Sequence, residues 1–199
     1  MKPILFNGDM VRAILEGRKT VTRRPIDRDI SNGFDIDTDG SAYVYINQAT
    51  GDSFKPEEIC RYRFGDILYV RETFCPVEPY TATNLGRNFI YRADGDINDC
   101  CTWRPSIHMP REAARIFLRV TGVSVERLQE ITLEGIEQEG FYCDLPYTKD
   151  HYAYAPGMRI HFSKVWDEIY AGKGYGWEQN PWVWVIEFER VKKEKTPDI

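Results

Sequence analysis

Residues 182–189 read WVWVIEFE, and their alternation decides the fold class. Trp182, Trp184, Ile186 and Phe188 share one face, and Val183, Val185, Glu187 and Glu189 share the other. That period of two is a half-buried strand. Upstream, Phe162, Val165, Trp166, Ile169 and Tyr170 follow the i, i+3, i+4, i+7, i+8 spacing of an amphipathic helix, which Gly172, Gly174 and Gly176 end. Residues 116–120 read as a strand running on through Val123 and Val125, and 67–72 as a strand after a Gly65-Asp66 turn. Residues 133–139 form a short helix that Thr132 can cap.

The N-terminal third has the same texture. Residues 4–6 make a short buried strand, and Asn7 or Asp9 offers a helix cap. Met10, Val11, Ile14 and Leu15 share a helical face that stops at Gly17. Residues 19–24 are rich in β-branched side chains and close at Pro25, a strand. Residues 43–46 suggest a hairpin arm, and 89–91 one short strand within an irregular stretch. No repeat or linker interrupts the chain. Strands interspersed with few helices predict one α+β domain: a mostly antiparallel barrel with helices outside it. Insertions are expected near 27–63 and 143–158.

A net charge of -5 and a pI near 5.3 argue against extended duplex DNA as a partner. They leave room for a local basic pocket. The 5 cysteines, odd in number and without paired spacing, predict free thiols rather than a disulfide framework. No zinc-ligand spacing occurs, so no metal or cofactor is expected. Only a short apolar run opens the chain, and no stretch reaches the roughly 18 apolar residues of a membrane span. The expectation is a cytoplasmic protein without a membrane partner.

Three clusters could carry chemistry. Gly17-Arg18-Lys19-Thr20-Val21-Thr22-Arg23-Arg24 is densely basic at a helix-to-strand junction. Its plain reading is a solvated edge strand. Its functional reading pairs the Thr22 hydroxyl, a weak nucleophile, with Lys19 as a base made less basic by burial and by the arginines. Odd spacing puts Lys19 and Thr22 on opposite faces of a regular strand, so they share a site only through a bulge, a strong twist, or a turn that still includes Lys19. The second cluster, Glu134, Glu137 and Glu139, is either a wet helix face or the source of a general acid or base. The third, Trp103-Arg104-Pro105-Ser106-Ile107-His108-Met109-Pro110-Arg111, mixes an aromatic, two arginines, a hydroxyl and a histidine as nucleotide contacts require. It also reads as a loop filling gaps in the core. Glu72 ends a strand and either pairs with Arg24 or lines a pocket. His151 and His161 have no evident chemical partner.

The stretch ILEGRKTVTRR resembles the signature of the ASCH domains, a PUA-like barrel family tied to RNA and modified nucleosides. Gly17, Lys19 and Arg24 match its Gly-x-Lys-x-x-Glu-x-Arg pattern, and Thr22 stands where many members carry Glu. The small ASCH amidohydrolases that deacylate N4-acetylcytidine also have Lys-Thr-x-Thr there. The resemblance implies Lys19, Thr22 and Glu139 as catalytic residues, Glu139 by the match of Glu137-Gln138-Glu139 to their Glu-Gln-Glu run. GDILYVRE, PSIHMPREAARIFLRV and NPWVWVIEFER are similar to larger ASCH proteins often encoded by phages and prophages. If phage-encoded, the chain would work in the host cytoplasm.

Three readings follow. The first is a module binding RNA, a single nucleotide or a modified nucleoside, with Arg24, Glu72, Trp103, Arg104, Ser106 and His108 as ligand contacts. The second is an amidohydrolase acting on N4-acylated cytidine. The third is a phage assembly or interaction protein.

Overall fold

Asn7 starts the first helix by accepting a hydrogen bond from the Met10 amide at 2.9 Å, and its φ/ψ are extended, as a cap requires. Local signals of this kind build most of the chain. The computed structural model describes residues 1–36, 43–77, 86, 88–95, 102–142 and 151–192, with backbone only for 151–153. In chain order the elements are β1 (Lys2–Leu5), α1 (Gly8–Leu15), β2 (Val21–Pro25), α2 (Arg28–Ser31), β3 (Phe34–Ile36), β4 (Tyr43–Ile46), β5 (Ser53–Phe54) and α3 (Pro56–Ile59). They continue with β6 (Ile67–Arg71), β7 (Phe74–Pro76), β8 (Phe89–Tyr91), β9 (Phe117–Arg127), α4 (Leu133–Gln138), α5 (His151–Tyr170) and β10 (Trp182–Val191). The class is α+β. Among the described residues the strands do not close into a barrel.

The chain divides into two compact units. The first comprises Met1–Gly17, Gly65–Arg119 and Glu189–Ile199, and the second Arg18–Phe64 and Val120–Phe188. In the first unit β1 runs parallel to β6, with Lys2 opposite Leu68, and β6 runs antiparallel to β9, with Ile67 opposite Arg119. A β7–β8 hairpin pairs Phe74 with Tyr91. Its core gathers Phe74, Met109, Ala113, Ala114 and Phe117. From α1, Val11, Ala13 and Ile14 are buried.

In the second unit β10 pairs antiparallel with β2, with Ile186 opposite Thr22. Val183 and Val185 on one face of β10 pack with Ile136, Met158, Phe162 and Trp166. Trp182 points the other way, into a cluster with Ile26, Phe34 and Val125. The alternation read from the sequence is present, but residues 182–186 are covered on both faces, and of residues 182–189 only Glu187 and Glu189 are exposed. The second cover comes from the predicted insertion. Its strands form a three-stranded sheet, β3-β4-β5, and Phe34 and Tyr43 set their rings 5.4 and 4.6 Å from that of Trp182.

Two expectations change. Residues 151–158, read as loop, are the first two turns of α5, with Pro156 inside the helix. Tyr154 and Met158 pack into the core from there, and that burial outweighs the proline's penalty. Residues 143–150 lie outside the described residues. The free-thiol expectation also fails at Cys75, which is disulfide-bonded, while Cys60 is free and buried. An odd cysteine count argues against a framework, not against one bridge formed by proximity. No helix among the described residues is long and apolar enough to cross a membrane.

Candidate functional site

Gly17 takes φ +77°, a left-handed turn that favours glycine, and the chain passes from α1 toward β2. Lys19 therefore lies ahead of the regular strand. It forms an isolated antiparallel bridge with Glu139, flanked by Thr20 N–H donating to Gln138 O at 2.9 Å and Phe188 N–H donating to Thr20 O at 2.8 Å. Glu139 is held from the other side. Thr132 caps α4 by accepting from Gly135 N at 3.0 Å, and Glu139 is the residue that closes the helix.

These constraints bring Lys19 and Glu139 into a buried ion pair, Nζ to Oε2. Lys19 is 2% exposed and Glu139 5%. Nζ also donates to Val21 O at 2.8 Å and to Glu139 O at 3.0 Å. The other carboxylate oxygen, Oε1, accepts from the Arg23 amide at 2.6 Å and from Arg23 Nη1 at 3.4 Å. Thr22 sits between the two residues that these groups touch, Val21 and Arg23. It is fully buried, and among the described residues its Oγ1 is the buried side-chain oxygen or nitrogen without a hydrogen-bond partner. Such an atom is expensive to keep unless it has work to do.

Burial holds the Lys19 amine below its ordinary range; Glu139 opposes that shift, and Arg24 and Arg23 add to it. Arg23 continues the chain of charges. Its Nε binds Glu126 Oε1 at 2.6 Å and its Nη1 donates to Gly135 O at 3.3 Å. Glu126, Arg23, Glu139 and Lys19 alternate in sign along one row. The sequence marked Arg23 only as a nearby cation; its role as the clamp on Glu139 was legible only once α4 and β2 were placed side by side. Gly135 is the one trace, since a Cβ there would lie 2.8 Å from Arg23 Nη2.

The remaining basic residues of this run also have protein partners. Arg24 Nη1 donates to Tyr170 OH at 2.9 Å. Arg18 donates to Gly140 O and lies 4.9 Å from the Tyr142 ring centroid.

Glu72, Trp103, Arg104, Ser106 and His108 belong to the first unit. Glu72 pairs with Arg115, not Arg24: Oε1 accepts from Nε at 2.9 Å and Oε2 from Nη2 at 3.0 Å. It is 1% exposed and lines a cavity. Arg104 bridges Phe74 through backbone hydrogen bonds of 2.8 and 3.2 Å. Ser106 and His108 lie in a single 3-10 turn, and Trp103 is half-buried beside it in sequence. Met109, which follows, is buried in the core.

No family profile and no curated protein matches the chain. Among solved structures, protein EF3133 from Enterococcus faecalis V583, of the family DUF984, is similar over 96% of this chain and 77% of its own, at 11% identity and a TM-score of 0.46. At that score the likeness carries no functional weight.

Proposed function

We propose that the chain is an ASCH-type, PUA-like protein that takes a modified nucleoside at Lys19, Thr22 and Glu139 and hydrolyses its acyl amide, with N4-acylated cytidine as the substrate class. The observation that supports this most is the buried Lys19–Glu139 contact, bonded to the backbone of Val21 and Arg23 on either side of Thr22, whose buried hydroxyl has no partner among the described residues. A proton passing from Lys19 to Glu139 turns the ion pair into a neutral amine and a neutral acid, a state that burial favours. Thr22 Oγ then attacks the acyl carbon and its proton goes to Lys19 Nζ. Glu139 protonates the departing amine as the C–N bond breaks. The free nucleoside leaves, and an ester remains on Thr22. Water next adds to the ester, losing a proton to Glu139, and Lys19 returns a proton to Thr22 Oγ as the acid departs. The neutral pair is restored. All three side chains are buried, so substrate enters only as the cover over them opens.

Binding without turnover is the second reading. The Lys19–Glu139 pair favours it, because each charge already satisfies the other. A phosphate-tracking RNA surface has less support, since Arg18, Arg23 and Arg24 have protein partners. The test is release of cytidine from N4-acetylcytidine, beside Lys19→Ala and Thr22→Ala. Release that both variants lose, with the nucleoside still bound by Thr22→Ala, is the expected result. Saturable binding without release leaves the second reading. Turnover retained by Thr22→Ala removes the Thr mechanism.

A further inference from the structure

The first unit holds its own cavity, of about 330 Å³, lined among others by Gly8, Asp9, Arg12, Glu72, Thr73 and Arg92. That volume is at the small end for ligand sites and suits a metabolite rather than a polymer. Its walls sort into two kinds. One kind is donors. Arg92 is exposed, and its guanidinium has no partner among the described residues. The amides of Gly8 and Asp9 open α1, whose side-chain cap is spent on Met10. Arg12 is already engaged, by Asp9 and by Ala93 O at 3.3 Å.

The other kind is an acceptor. Glu72 takes one hydrogen bond from Arg115 on each oxygen, which leaves further lone pairs on both. Arg115 is fixed in turn by Asp94, at 2.7 Å, and by the Tyr91 ring, 3.9 Å from its centroid. Glu72 therefore cannot swing away. A bare anion would meet Arg92 and be repelled by Glu72. A neutral sugar would satisfy Glu72 and leave Arg92 unused. A molecule with an anionic end and hydroxyl donors at the other fits both.

We propose that this cavity binds a small phosphate monoester of a polyol or nucleoside, its phosphate at Arg92 and the first amides of α1, its hydroxyls at Glu72 and Thr73. The site lies wholly in the first unit and does not depend on the Lys19 cluster. The test is calorimetric titration of the full chain with ribose 5-phosphate, ribose, inorganic phosphate and malate. Ribose 5-phosphate should bind saturably, and ribose and inorganic phosphate at least about tenfold more weakly. Arg92→Gln, a surface change that leaves the fold intact, should weaken ribose 5-phosphate by about tenfold. Thr22→Val should leave it unchanged. Equal affinity in Arg92→Gln, tighter binding of malate than of ribose 5-phosphate, or no saturable binding at about 1 mM would each overturn the assignment.

Discussion

Lys19 and Glu139 each satisfy a charge that would otherwise be stranded in the interior. Removing one partner by Lys19→Met or Glu139→Gln should cost about 3–5 kcal/mol. Removing both should cost clearly less than the sum, since neither charge is then orphaned. Denaturant unfolding of the two single variants and the double variant closes that cycle. Thr22 behaves in the opposite sense. Its hydroxyl is buried without a partner among the described residues, so Thr22→Val should raise stability by about 1 kcal/mol while abolishing any turnover. A residue kept at a cost to the fold is the pattern expected of a working group, and a loss of stability in that variant would argue against it.

At the scale of elements, α4 matters because it carries Glu139. Gly135 lies in its middle, where alanine is normally better by about 1 kcal/mol. Here Gly135→Ala should instead destabilise, because the new Cβ meets Arg23 Nη2, and that group is tied to Glu126 and Glu139. Thermal unfolding of Gly135→Ala beside Thr132→Ala, which loses a cap worth about 1 kcal/mol, separates the two effects. Much at this scale was legible beforehand. The caps at Asn7 and Thr132, the turn at Gly65 and the strands β6, β9 and β10 announce themselves through local chemistry. The start of α5 did not, because Pro156 reads locally as an end and only core contacts from Tyr154 and Met158 override it. The cover over Trp182 was equally hidden, since nothing in an alternating strand says what will pack on its second face. For the site, Lys19, Thr22 and Glu139 came from a motif. The Arg23 clamp and the Glu72–Arg115 pair came from tertiary placement alone.

The whole molecule should feel its two buried sites through pH. Burial holds the Glu72 carboxyl above its ordinary 4.5, against the pull of Arg115. The native chain then keeps a proton that the unfolded chain has lost. Stability from this group falls as pH rises from about 4.5 through the folded value, and Glu72→Gln should flatten that stretch of the profile. Lys19 works in the reverse sense. Its amine sits below the ordinary 10.5, so the unfolded chain binds the proton more readily. Stability rises as pH climbs through that window, and Lys19→Met should remove the slope. Chemical unfolding followed across pH checks both. The two units that hold these sites occupy five alternating segments, so the chain crosses between them four times, and β9 and β10 each pass from one into the other. A gene fragment encoding either unit alone cannot be cut out as one continuous piece. Any cut-and-join of the coding sequence that keeps one unit whole must therefore carry parts of the other, so the buried Lys–Glu pair and the Glu72 cavity travel together with the order of the chain.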